Sequence, residues 1–322
     1  MDEIREEIEH IRTPEEVRAE IKRTRHKAEV PLFWILSILG LLTVIVIVAI
    51  SSGDKSVTDA VRKMIEEAGI GSGDVNVNLL VQVIIIILAV FSGVGVIIYF
   101  VIQLILSVYN YYAGVLAYAV RVSDTNFPEI YEKVKEYTRL LGMKKEPEVY
   151  VAQQNGVINA FTSWIPGKTY IQLNAEIVDL AYMENKDFDT VFFVMAHEFG
   201  HAYLGHVNVF KNIFVYLTML IPGFGQMVIF PLLSRAREYS SDRVAQALTD
   251  CKNQEECMMM LGAGRHAYKY VNTQDYLKQI NQPQNFITRF FRWLINLTAS
   301  HPIMPFRVAA INDPERKSGR LI

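Results

Sequence analysis

Two long stretches of this chain carry no charged side chain, residues 30–53 and residues 75–120, and they restrict the folds open to it more than any other feature. About 20 consecutive apolar residues suffice to cross a hydrocarbon core. Residues 30–50 meet that length, and 79–106 are almost wholly aliphatic. The hydrophobic fraction of the 322 residues is 51%, high for a soluble chain, and the excess is concentrated in these runs. The sequence therefore predicts a membrane protein with a lipid bilayer as partner. The first run follows a Glu-rich, mixed-charge segment instead of a short basic leader, so it reads as a signal anchor that is not cleaved.

Basic residues orient the spans. Lys22, Arg23, Arg25 and Lys27 stand directly before the first, while Arg121, Lys133, Lys135, Arg139, Lys144 and Lys145 follow the second. Positive charge favours the cytoplasmic side. This divides the chain into a cytoplasmic helical arm (1–29), a first transmembrane helix (30–50), an extracytoplasmic loop (51–78), a second transmembrane helix with an interfacial extension (79–120) and a cytoplasmic catalytic domain (121–322). Tyr109, Tyr111, Tyr112 and Tyr118 mark the extension, and Ser92-Gly93-Val94-Gly95 reads as a close-packing patch. A straight helix of 46 residues would run roughly 69 Å, so two spans hidden in 75–120, with the domain outside, form the competing topology. In the arm, Ile4, Ile8 and Ile11 lie at helical spacing and Thr13-Pro14-Glu15-Glu16 is a helix start. A net charge of −2 offers nothing to nucleic acid, and Cys251 and Cys257 read as ordinary thiols.

The chemistry is carried by His197-Glu198-Phe199-Gly200-His201. At about 100° per residue the two imidazoles share one helix face and can grip one metal ion. Glu238, followed by Asp242 one helical turn later, offers a third donor and leaves a fourth position open for water, as in catalytic zinc sites. Glu198 is placed to act as general base, and Asp242 to accept the free ring N–H of a ligand His. The apolar run 191–196 ahead of the motif favours a buried helix over a solvated one. For Glu238 an ion-paired helix with Arg235, Arg237 and Arg243 is the competing reading. A metzincin is excluded, because Leu204 and Val207 stand where that pattern needs Gly and His. His206, roughly 140° around the helix from His201, reads as a helix end at an interface, and His10, His26 and His266 as surface residues.

Residues 212–234 are uncharged, too short for two spans, and interrupted by Pro222-Gly223-Phe224-Gly225. Since His201 and Glu238 must reach one ion, the intervening chain crosses the bilayer an even number of times. A helical hairpin over 207–234 that dips into the membrane or lines a cleft follows, with a hairpin buried in a soluble core as the alternative. A helix over 129–141, strands over 148–151, 156–163 and 169–173, and a turn at Pro166-Gly167 complete the domain.

Taken together, His-Glu-Phe-Gly-His, Glu-Tyr-Ser-Ser-Asp at 238–242, Asn159-Ala160-Phe161, and Ser300-His301-Pro302 with Arg307 resemble the HtpX-like membrane zinc metalloproteases, gluzincins related to the CAAX prenyl endopeptidases. The resemblance implies an α+β membrane protein: a mostly helical zincin-like domain with a small β-sheet, preceded by two transmembrane helices. It implies one zinc ion on His197, His201 and Glu238, Glu198 as base, and Asp242 orienting a ligand. Asn159, Ala160 and Phe161 match the strand that pairs with extended polypeptide substrate. His301 matches a substrate or transition-state contact, and Arg307 an ion-pairing position. The short insert between His201 and Glu238 departs from the pattern, in which two spans usually stand. The implied activity is endoproteolysis of membrane or membrane-proximal proteins in quality control. A prenyl-protein endopeptidase and a catalytically silent zinc scaffold are the rival readings; sequence does not give the oligomeric state.

Overall fold

The computed structural model describes residues 12–52, 93–183, 188–221, 225–249, 254–279, 282–313 and 317–321, with isolated positions 63, 67, 223 and 315. The expected loop 51–78 lies almost wholly outside the described residues, as do 79–92, Ile4, Ile8, His10, Ile11 and Cys251. In chain order the elements are α1 (Pro14–Thr24), α2 (Glu29–Ser52), α3 (Gly93–Tyr118), β1 (Val120–Arg121), α4 (Pro128–Leu141), β2 (Glu148–Ala152), β3 (Ala160–Ile165), β4 (Lys168–Asn174), α5 (Ala175–Tyr182), α6 (Phe188–Leu204), α7 (Ile213–Leu217), α8 (Phe230–Leu248), α9 (Gln254–Ala263), α10 (Thr273–Lys278), α11 (Phe286–Thr298) and α12 (Met304–Ile311). The result is mostly helical with one small mixed sheet.

That sheet runs β1-β2-β4-β3, with β2 and β4 parallel and the outer pairs antiparallel. Pro166-Gly167 joins β3 to β4 in a two-residue turn, where Gly167 takes the left-handed φ of +88° that a β-carbon resists. β3 begins later than the expected 156. Asn155 and Gly156 both adopt positive φ and turn the chain, and the Gly156 N–H donates to Glu176 Oε1 at 2.6 Å. Asn159 thus precedes the strand, although its carbonyl still accepts from the Asn174 N–H at 3.0 Å. β3 pairs on one side only, which leaves an edge.

The core lies where α6 crosses beneath the sheet and packs on α4, α5, α8 and α9. α1 belongs to it. Thr13 and Glu16 form a reciprocal capping box that starts the helix, and Val17 and Ile21 are buried among the domain's own side chains. Over these residues the arm is an amphipathic helix packed on the domain, and the expectation of a surface His26 is corrected. His26 is 5% exposed, stacks on Tyr239 and hydrogen-bonds the Gly319 carbonyl at 2.9 Å.

Two helices are long and apolar enough to cross a membrane, over Glu29–Val48 and Val94–Tyr118. They pack on each other, and each also packs on the domain: α2 through Glu29 at its start and through Leu36 and Gly40 against the 207–234 segment, α3 through Tyr112 and Val115 against the sheet. Tyr112, expected in the interfacial extension, packs on Tyr170 and donates to Glu148 at 2.8 Å. The 207–234 segment is a compact hairpin laid along α2. Leu36, Val215 and Leu233 form its seam, and Gly40 allows the approach, since a β-carbon there would meet the Phe214 carbonyl oxygen at 1.8 Å.

Gly200 performs the same service for α6 and α8. A β-carbon at 200 would lie 2.8 Å from Ser241 Cα, inside any tolerated contact, so the motif's glycine sets the spacing of the two helices. Gly200→Ala is therefore expected to cost about 1–3 kcal/mol through overpacking, read as a lower thermal unfolding midpoint with weakened metal retention. An unchanged midpoint would contradict the role assigned to this contact.

Candidate metal centre

α6 carries His197, Glu198 and His201 into the floor of a cleft of about 440 Å³, whose walls are β3 on one side and the 301–307 region on the other. α8, pressed against α6, brings Glu238 opposite the imidazoles. His197 Nε2 and His201 Nε2 stand 3.2 Å apart, and the Glu238 oxygens lie 3.5 and 3.3 Å from them. A tetrahedral zinc ion with ligands at roughly 2.0–2.1 Å requires donor separations of about 3.3–3.4 Å. The two imidazole nitrogens are close to that separation, each has a different Glu238 oxygen near it, and one donor atom from each of the three residues falls within 4.8 Å of the others.

Charge and tautomer agree with the spacing. Glu238 and Asp242 are 5% and 2% exposed, and within hydrogen-bond reach Arg307 is the cation fixed beside them. Burial disfavours their ionised forms, but hydrogen bonds from the imidazoles and the Arg307 guanidinium hold both carboxyls below the usual range, Glu238 well below it. Burial likewise opposes a charged His197, yet the Asp242 and Glu238 carboxylates raise it to about 10. The two carboxylates thus favour positive charge at this point, which a proton on His197 or a bound cation can supply.

Each imidazole is held by its other nitrogen. His197 Nδ1–H donates to Asp242 Oδ1 at 2.8 Å, and Arg307 donates to both Asp242 oxygens at 3.0 and 2.6 Å. His201 is oriented by groups that the sequence did not disclose. Its Nδ1 stands 3.1 Å from His206 Nδ1, and His206 Nε2 stands 2.9 Å from Glu29 Oε1. Burial keeps His206 neutral, pushed down to about 3. Glu29, salt-bridged to Arg25, accepts the Nε2–H of His206, so His206 Nδ1 accepts the proton of His201 Nδ1. Both Nε2 atoms face one point with the Nδ1 positions already engaged, so a metal that displaces the His197 Nε2 proton meets two imidazole lone pairs there.

His206 reaches this position because α6 stops short of it. Gly205, at φ +75°, ends the helix in a Schellman turn with His206 N–H bonded to the His201 carbonyl and Gly205 N–H to that of Ala202. A helical projection of His206 therefore misplaces it. Ser240 also donates to Glu29, which ties α8 to the first turn of α2.

The remaining expected residues meet in the same cleft. Glu198 is 6% exposed, and its carboxylate accepts the Thr162 hydroxyl at 2.7 Å, a partner from β3 that sequence reasoning missed. Asn159, Ala160 and Phe161 line the wall above it. His301 lies across the cleft with Nε2 3.5 Å from Glu238 Oε1, its ring largely exposed. His266 is exposed, as expected, and Cys257 is buried, its Sγ accepting from the Thr190 hydroxyl at 3.7 Å.

Two imidazoles and a carboxylate converging on one point, with a second carboxylate beside them in an open cleft, form the donor set of a metallopeptidase. Residues 124–315 match the model described as peptidase family M48, and the chain belongs to that family. No curated protein and no solved structure matches it.

Removing the His206 contact tests the tautomer argument. His206→Ala is expected to weaken zinc retention about 10–100-fold in chelator competition, and His206→Gln, whose amide can both accept from His201 and donate to Glu29, to restore most of it. Equal retention in all three proteins would refute the role of the contact.

Proposed function

We propose that the chain is an integral-membrane zinc endopeptidase of the HtpX-like type that cuts membrane or membrane-proximal polypeptides on the cytoplasmic side, in the service of protein quality control. The observation that carries the reading is the convergence of His197, His201 and Glu238 at the floor of a cleft walled by an unpaired strand edge. These three residues would hold the ion, which M48 enzymes typically use as zinc.

When bound, zinc supplies Lewis-acid polarisation of the scissile carbonyl and acidifies the attacking water. The chain's own residues do the rest. β3 offers unsatisfied backbone groups along its free edge, so an extended substrate segment can add to the sheet there and pass over Glu198. Glu198 takes the proton of the water and returns it to the leaving amine, while the Thr162 hydroxyl fixes the orientation of its carboxylate. His301, the exposed donor across the cleft, is placed to hydrogen-bond the carbonyl oxygen as negative charge develops on it. Arg307 and Asp242 hold His197 in place from beneath.

The membrane reading draws on the placement of the site. Glu29, the first residue of α2, is bonded to the His206 that orients His201, so the metal centre sits at the root of the first apolar helix. α2 leaves the domain at its N-terminal end and α3 returns at its C-terminal end, consistent with one crossing out and one back. The basic cluster before α2 favours a cytoplasmic domain.

Glu198→Gln is expected to retain zinc at unchanged stoichiometry while kcat falls about 10²–10⁴-fold. Cleavage of a peptide series together with metal analysis of the purified variant checks this. Undiminished cleavage by the zinc-loaded variant would remove Glu198 from the mechanism.

A further inference from the structure

An amphipathic helix in a soluble domain turns its apolar side inward. α11 does the reverse. Steps of about 100° per residue place Phe286, Ile287, Phe290, Phe291, Leu294 and Ile295 on one broad arc, and Thr288, Arg289, Arg292 and Asn296 on the other. The C-terminal half of the polar arc faces the protein, with Asn296 3% exposed and Arg292 half-buried, while Thr288 and Arg289 are exposed at its N-terminal end; Arg289, Arg292 and Arg320 line a crevice of about 210 Å³. The apolar arc faces out, with Phe286 81%, Ile287 66%, Phe291 55% and Ile295 60% exposed. Contiguous apolar surface of this kind marks an interaction site on a stable protein.

Its neighbours and its charge identify the occupant. α11 rests on the 225–229 turn of the hairpin, where Met227 is 55% exposed, and that hairpin lies along α2 through its 218–220 turn. The hairpin thus connects α11 to the first candidate span. No Asp or Glu stands anywhere in residues 276–312, while Arg289 and Arg292 border the arc on α11 itself. Apolar aromatics bounded by arginines suit the boundary between acyl chains and anionic headgroups, and not a second protein surface rich in charge.

We propose that α11 lies in the headgroup layer of a bilayer containing anionic lipid, with its apolar arc in the acyl boundary and the exposed Arg289 at its margin toward lipid phosphates. This rests on the membrane reading above and deepens it. Arg235 binds the end of the helix, donating to the Leu297 and Ala299 carbonyls at 2.8 and 2.7 Å, and two residues beyond Ala299 is His301, in the cleft wall. Lipid contact therefore seats that wall at the bilayer surface, where a polypeptide leaving the membrane first meets the enzyme.

The chain has three tryptophans, and Trp293 sits at the margin of the apolar arc, so the double variant Trp34→Phe, Trp164→Phe leaves it as the only emitter. The full-length double variant is reconstituted into vesicles of phosphatidylcholine and phosphatidylglycerol, with or without lipid brominated near the top of the acyl chain. The expected result is at least a twofold loss of Trp293 emission on bromination, with little quenching by acrylamide, and a smaller loss when phosphatidylglycerol is omitted. Quenching by acrylamide and not by bromolipid, or protection from both by a second protein surface, overturns the proposal; identical bromolipid quenching in neutral vesicles overturns its arginine–phosphate part. Alkaline extraction of the same vesicles separates the two readings: a retained chain with unquenched Trp293 refutes the placement of α11 alone, whereas a released chain refutes anchoring by α2 and α3 and the proposal with it.

Discussion

The contact between α6 and α8 is the constraint from which the rest of the site follows. One helix holds two imidazoles and a carboxylate, the other Glu238 and Asp242, and neither set is chemically complete alone. Gly200 against Ser241 lets the axes approach until the donors fall within 4.8 Å of one another. At that distance two ionised carboxylates face one fixed guanidinium in a buried volume, and the remaining negative charge is matched by a proton on His197 or by a cation in its place. The same packing that builds the core therefore favours positive charge at this point.

A second consequence concerns position. The two imidazoles are held from opposite sides, His197 by Asp242 and Arg307, His201 by His206 and Glu29. The first support comes from the C-terminal part of the domain, the second from the root of the first apolar helix. Neither support can be removed without leaving a buried polar group unpaired, which is why α1 and the start of α2 are integral to the fold although the family match begins only at residue 124. The cleft, the root of α2 and the outward apolar face of α11 are linked through the hairpin and α8.

What could be read from the sequence was what depends on local periodicity. Four-residue spacing in His-Glu-Phe-Gly-His, the pair Glu238 and Asp242 one turn apart, the capping residues Thr13 and Glu16, and Pro166-Gly167 each encode geometry within a few residues. Glu29 could not be found this way, because its partner His206 is 177 positions away and only tertiary packing joins them. His206 was hidden by a different cause: Gly205 reverses the chain, so projecting the helix onward gives the wrong direction for its ring. His26 carries no apolar neighbours in sequence, yet the packing of α1 buries it. The onset of β3 was shifted because Asn155 and Gly156 take up left-handed conformations that an apolar pattern does not register.

The central claim is that His197, His201 and Glu238 close on a single ion. Anomalous diffraction recorded on either side of the zinc edge tests it most directly. The expected map holds one peak at roughly 2.0–2.1 Å from Nε2 of His197, Nε2 of His201 and a carboxylate oxygen of Glu238. A crystal of the zinc-supplemented protein with no peak there, or with the peak bound by His206 in place of Glu238, would contradict it.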